Sequence, residues 1–230
     1  MASETIVKLS KRTQNVLKNF ATINKSIIVE SGSKVRTLSI NKNIYASAKI
    51  TEDFPRQIPI YDLGVFLSGL SLFENPVFDF THTQKLVTRD EATNATTTFF
   101  YDDASIITPA LPTKEIEMSS VDVTFDLRAE TLSNILRAAA VYKVKDLCVY
   151  NKGDKVHLMV CDKKNETSND YSVVVGETES VFSFIFKVEN IKILPGTYEV
   201  VCSQKNLSRF TNKNQDLVYY IALEPDSTFG

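Results

Sequence analysis

The chain has 230 residues, enough for one large domain or two of ordinary size, and a hydrophobic content of 43% suits a protein that buries a core. Its formal net charge of -2 gives the molecule as a whole no attraction for nucleic acid. Three cysteines (Cys148, Cys161, Cys202), with no CxxC and no metal-ligand spacing, fit free thiols in a reducing, cytoplasmic compartment, with no metal and no cofactor expected.

No stretch approaches the length of a membrane span, and residues 1–30 hold no apolar run fit for a signal peptide, so no membrane partner is expected. Ile6–Leu9 reads as a short strand. Lys8 to Asn24 then carries the strongest helical signal in the chain. Thr13, Val16, Leu17 and Phe20 share one side at the spacing of a core-facing stripe, and Ser10 is the expected N-cap. The opposite side presents Lys11, Asn15, Lys18 and Thr22, flanked by Lys8, Arg12 and Asn19. From Thr5 to Val29 there are five Lys or Arg and no acid.

Period-two strands follow at Ser26–Ser31, Lys34–Ile40, Asn43–Lys49 and Gln57–Ile60. Asp62 is the expected cap of a second helix, Leu63 to Phe73, stopped by Asn75-Pro76. Strands at Val77–Phe80, Lys85–Arg89 and Thr96–Tyr101 complete the first half. Asp102 to Ser120 has prolines and no period, and reads as an extended linker.

The pattern then starts again. Val121–Phe125 is a strand, and Asp126 is the expected cap of a helix from Leu127 to about Tyr142. Strands follow at Leu147–Asn151, Val156–Cys161, Tyr171–Val175 and Val181–Phe186, then a short helix at Lys187–Leu194. Strands at Thr197–Ser203, Leu207–Thr211 and Leu217–Leu223 close the chain, leaving a short, polar, mobile tail. Both halves read strand, helix, three strands, strand, helix, three strands. This order implies an α+β protein of two like-folded domains, each a sheet covered on one face by two helices. The domains span 1–101 and 121–230, with 102–120 between them.

The four helical stretches and their flanks carry a net positive charge, and the rest of the chain a net negative one. Such a surface draws phosphates to its helices and repels them elsewhere. No base-reading motif is present, so binding would be to the backbone and independent of sequence. The clearest phosphate-facing candidates are Lys11, Lys18 and Arg137, with Lys8, Arg12, Arg128, Lys143, Lys187 and Lys192 behind them. An enzyme is not expected. His82, near a turn, and His157, in an expected strand, read as incidental surface or satisfied residues. Asp102-Asp103 and the linker acids lack the partners that a metal or a general acid–base pair would need, and no glycine-rich phosphate loop exists.

Three stretches carry a family resemblance: Lys8-Leu9-Ser10-Lys11 followed by 17–24 (LKNFATIN); Ile60-Tyr61-Asp62-Leu63 with Phe66-Leu67 and Leu70-Ser71-Leu72; and Pro195-Gly196-Thr197-Tyr198 with Ala222-Leu223-Glu224 and Asp226-Ser227-Thr228. In these the chain resembles the sliding clamps, or DNA polymerase processivity factors, of T-even-type bacteriophages. Residues 82–120 and 162–170 depart from that pattern, and the first five residues look like an added tail. The resemblance implies a DNA-clamp fold and a head-to-tail homotrimer, closed as a ring around duplex DNA with the helices lining the hole. It implies an ATP-driven clamp loader, a tethered DNA polymerase and late-transcription sigma and co-activator proteins as partners, in the host cell cytoplasm.

The resemblance further implies subunit contacts through Thr97, Phe99 and Tyr101 of one copy and Tyr171, Val173 and Val175 of the next. It implies a partner-peptide pocket beside the linker and the C-terminal segment. There the sequence offers Ile106, Ile107, Leu111 and Pro112, and Ala222, Leu223 and Pro225. The competing readings are a monomeric DNA-binding adaptor of the same fold that closes no ring, and an interaction scaffold whose basic helices are only solvated faces.

Overall fold

The computed structural model describes residues 5–90 and 92–230, in two compact units that divide between Leu111 and Pro112. The first unit begins with β1 (Ile6–Lys8) and α1 (Lys11–Ile23). Ser10 ends the strand in extended conformation and its Oγ accepts from the Thr13 amide at 3.1 Å, the N-cap bond that starts the helix. Val16, Leu17 and Phe20 face the core as the spacing requires, with Gln14 and Ile23 beside them. Of the expected N-terminal tail only Thr5 is described, and its carbonyl accepts from the Phe80 amide.

Strands β2 (Ile27–Val29), β3 (Gly32–Leu38), β4 (Ile44–Phe54) and β5 (Ile58–Ile60) lead to α2 (Leu63–Leu70). Asp62 caps α2 as expected, accepting from the Val65 amide at 2.9 Å. Then come β6 (Pro76–Asp79), β7 (Lys85–Asp90) and β8 (Thr96–Phe100). The pairing is antiparallel throughout: β1-β6-β7-β8 form one sheet, β3 pairs β4, and β2 pairs β5. The turn from β2 to β3 needs a residue at φ +96°, and Gly32 supplies it without steric cost. Phe54, Phe78 and Phe80 pack together with centroids 6.1–6.3 Å apart, and Phe66 of α2 joins them.

The second unit repeats the order: β9 (Val123–Leu127), α3 (Ala129–Tyr142), β10 (Asp146–Lys152), β11 (Lys155–Cys161), β12 (Tyr171–Glu177) and β13 (Phe182–Lys187). After a 3-10 turn at Val188–Asn190 come β14 (Tyr198–Ser203), β15 (Leu207–Asn212), β16 (Leu217–Ala222) and β17 (Thr228–Phe229). One sheet runs β12-β11-β10-β13-β17, and β16-β15-β14-β9 are neighbours in the other. Tyr198 and Tyr219 are fully buried, and both hydroxyls bond Leu194, at its carbonyl and its amide.

Three expectations need correction in this unit. Asp126 does not cap α3. It lies in β9 and pairs with Lys213 at 2.6 Å, while Arg128 takes the cap position with no side-chain bond. The helix expected at Lys187–Leu194 is a single 3-10 turn: Lys187 belongs to β13, and Pro195 follows too soon for a helix to propagate. The second unit therefore has one α-helix against its sheets where two were expected. Nor is the C-terminal tail mobile. β17 pairs with β13, and the Phe229 ring stacks on Phe184 at 6.2 Å.

Candidate nucleic-acid and partner interface

α1 is fixed at its N-terminus by a buried carboxylate. Glu52 of β4 accepts from the Ser10 amide at 2.6 Å and from the Thr13 hydroxyl at 2.5 Å. Burial acts to raise its pKa, but the bonds from Thr13 and Ser10 outweigh it and hold Glu52 below the usual carboxylate range. A negative charge at this end also complements the helix dipole. With the inner stripe buried and the start pinned, the outer face of α1 is set.

That face carries Lys11 and Lys18, both exposed, with Asn15 and Thr22. Lys11 Nζ donates to the Glu74 carbonyl at 2.6 Å, which orients the ammonium and leaves its charge in place. Lys8 is exposed on β1 and Arg12 half-buried on α1. On the second unit, Arg128 and Arg137 are exposed, at the cap of α3 and on its outer face, and Arg137 donates to Asn134 at 2.9 Å. Lys143 is exposed at the end of α3, and Lys192 is half-buried. Lys187 departs from this group. Its ammonium pairs with buried Asp146 at 2.6 Å, a hydrogen bond that raises its pKa, so its charge is internally neutralised.

In the first unit the segment after β8 folds back. Asp102 accepts from the Tyr61 amide at 2.8 Å, and the buried Asn24 amide donates to the carbonyls of Leu38 at 2.9 Å and Thr108 at 3.0 Å. These bonds place Ile107, Pro109 and Leu111 against Ile28 and Leu38, around a small apolar cavity of ≈ 30 Å³. Ile107 is buried in its wall, whereas Ile106 points out and is 49% exposed. Asn24, Ile28 and Leu38 escape a reading of the sequence, because strand alternation does not say which loop will cover a strand. Pro112 and the C-terminal residues belong to the second unit. There Leu223 is buried, Ala222 half-buried and Pro225 exposed.

The residues expected at subunit contacts lie on edge strands. Among the described residues β8, with Thr97 and Phe99, pairs only with β7, and β12, with Tyr171, Val173 and Val175, has β11 as its one ladder partner. Tyr101 follows β8, its hydroxyl buried without a partner among the described residues. Phe66 of α2 meets Phe99 edge to face at 4.9 Å, so α2 lies beside this edge. The outer side of α2 is uncharged, with Val65 exposed at 67% and Leu72 just beyond it at 78%; on α3, which packs on β12, Val141 is exposed at 67%. Among the described residues no group of His, Cys, Asp and Glu could hold a metal ion, and no helix is long and apolar enough to cross a membrane.

Two units that each run strand, helix and antiparallel strands, with basic outer faces on α1 and α3, define a clamp-type fold. Solved structures share it. PCNA from A. fulgidus, bound to the C-terminal region of FEN-1, has a TM-score of 0.72 at 11% identity, covering 97% of this chain and 99% of that one. PCNA from Entamoeba histolytica gives 0.68 at 12% identity, over 95% and 98%. Sequence is more specific. A family model described as DNA polymerase processivity factor matches residues 8–107, and one described as gp45 sliding clamp, C terminal, matches 124–225. The sliding clamp of Vibrio phage KVP40 is 36% identical, over 95% of this chain and 99% of its own length. Those of Escherichia phage RB69 and Enterobacteria phage T4 are each 30% identical, over 96% and 99%. The chain belongs to the phage sliding-clamp family of DNA polymerase processivity factors.

Proposed function

We propose that copies of this chain close head to tail into a trimeric ring around duplex DNA. The domains are residues 1–101 and 121–230, joined by 102–120. The observation that carries this reading is the pair of open sheet edges, β8 in one unit and β12 in the other. An unpaired edge is a template for another strand, and a head-to-tail contact between unlike edges generates a closed ring when the rotation fits. The uncharged exposed residues next to each edge, Val65 and Leu72 on one side and Val141 on the other, would be covered by closure.

A closed ring holds DNA by topology, so its hold on phosphates can stay weak and mobile. Lys11, Lys18, Arg128 and Arg137, loosely spaced and without base-reading partners, suit that task. The ring catalyses nothing. It tethers a DNA polymerase through a peptide docked at Ile106, Leu111 and the C-terminal segment. An ATP-driven loader places it on DNA, and late-transcription sigma and co-activator proteins use it as a moving platform in the host cytoplasm.

Native mass tests ring formation: three times the 25.8 kDa chain is expected, and a single chain would favour the adaptor reading. Proline at Val173 or Val174 tests the edge. Successive residues of a strand aim their amides at opposite sides, so one of the two substitutions removes an outward donor and spares the β11 ladder. That variant should be folded and monomeric. Trimers from both variants refute the pairing.

A further inference from the structure

The second unit has a concavity of its own at one end of its β12-β11-β10-β13 sheet. It lies where α3 ends and the strands β10, β11 and β13 meet a loop, with a volume of ≈ 240 Å³. Its walls include Lys143, Lys145, Lys164 and Lys187, with Asp146 and Asp162. Both carboxylates accept hydrogen bonds, but only Asp146 meets a cation. Asp146 accepts from Lys187 at 2.6 Å and from the Lys163 amide at 3.2 Å, and Asp162 accepts from the Lys164 amide at 3.0 Å. Lys143, Lys145 and Lys164 are exposed, and none has an ion-pair partner among the described residues. With Lys187 and Asp146 paired, three exposed ammonium groups thus border one hollow against the single carboxylate of Asp162, which leaves it positive.

The helix dipole, which favours cations at a C-terminus, accounts for at most two of the three. Lys164 comes from the loop after β11 and owes nothing to it. Lys143 is informative in another way. It closes α3 at φ 56°, ψ 33°, the left-handed conformation that glycine adopts freely and a lysine only at a cost. The cap uses only the backbone there, donating to the Ala139 carbonyl, and leaves the side chain exposed at the wall of the hollow.

We infer that this concavity is a discrete phosphate site, which takes a phosphodiester group of the DNA backbone beyond the end of α3. The inference rests on the DNA-encircling reading but adds to it a localised anchor, formed by Lys143, Lys145 and Lys164. On a mobile clamp such an anchor acts as friction against free sliding.

The test uses the full chain and the triple variant K143N/K145Q/K164Q. Asparagine keeps the left-handed cap, and circular dichroism and melting confirm the fold. Titration with inorganic pyrophosphate, followed by amide NMR, should shift residues 143–145 and 162–164 saturably in the parent and not in the variant. Binding to a duplex across a salt series should show a log–log slope reduced by about 0.9 for each phosphate that is no longer neutralised. An unchanged slope overturns the assignment to the DNA backbone. If pyrophosphate still binds in that case, the site serves free phosphates; if it does not, there is no site. The variant K11Q/K18Q separates this failure from a wider one. If it lowers the slope while the triple variant does not, DNA binding stands and only this site falls.

Discussion

At the scale of single residues, Glu52 and Asn24 set the geometry on which the rest depends. Glu52 ionises more readily in the folded chain than its ordinary value of 4.5, because Thr13 and Ser10 bond the charged form more strongly than burial opposes it. A lowered folded pKa stabilises above the unfolded value, and that stability is lost as pH falls through the folded one. Glu52→Gln should cost about 1–3 kcal/mol at pH 7 by denaturant unfolding and flatten the loss of stability below about pH 4.5. An unaltered acid limb would contradict the role given to Glu52. Asn24 holds the carbonyls of Leu38 and Thr108 together. Asn24→Ala should leave the fold intact and raise hydrogen exchange across Ile107–Leu111. It should also weaken a polymerase C-terminal peptide several-fold in calorimetry; unchanged exchange there would place the anchor elsewhere.

At the scale of elements, the legible parts are those with a local cause. α1 and α2 follow from a capping oxygen and an apolar stripe at helical spacing, both visible in the sequence. β9 follows from strict alternation. Asp126 misleads because an acid before a helical run is also what an exposed strand position looks like, and only the fold brings Lys213 across to it. Lys187 has the look of a free cation on a helix, and its partner Asp146 is 41 residues away in sequence. The tail is polar by composition, but Phe229 finds Phe184, and Ser227 Oγ accepts from the Ile185 amide at 3.0 Å. Phe229→Ala should therefore lower stability by about 1–2 kcal/mol in a denaturant melt, where a mobile tail would give no change. The cavity beneath Ile107 and Leu111 needs the long-range bond of Asn24, which no local pattern reports.

At the scale of the whole molecule, the proposed function lies in closure. A modest excess of cations on helix faces would make a poor DNA-binding protein by charge alone, since exposed charges are screened at cellular salt. A ring removes that weakness, because escape requires an interface to open or a DNA end to pass. The most direct measurement places the protein on nicked circular duplex with a clamp loader and ATP, raises the salt until electrostatic binding fails, and then cuts the circle once. Closure predicts protein retained on the intact circle and released on cutting. Equal retention before and after the cut, or equal release, would contradict it.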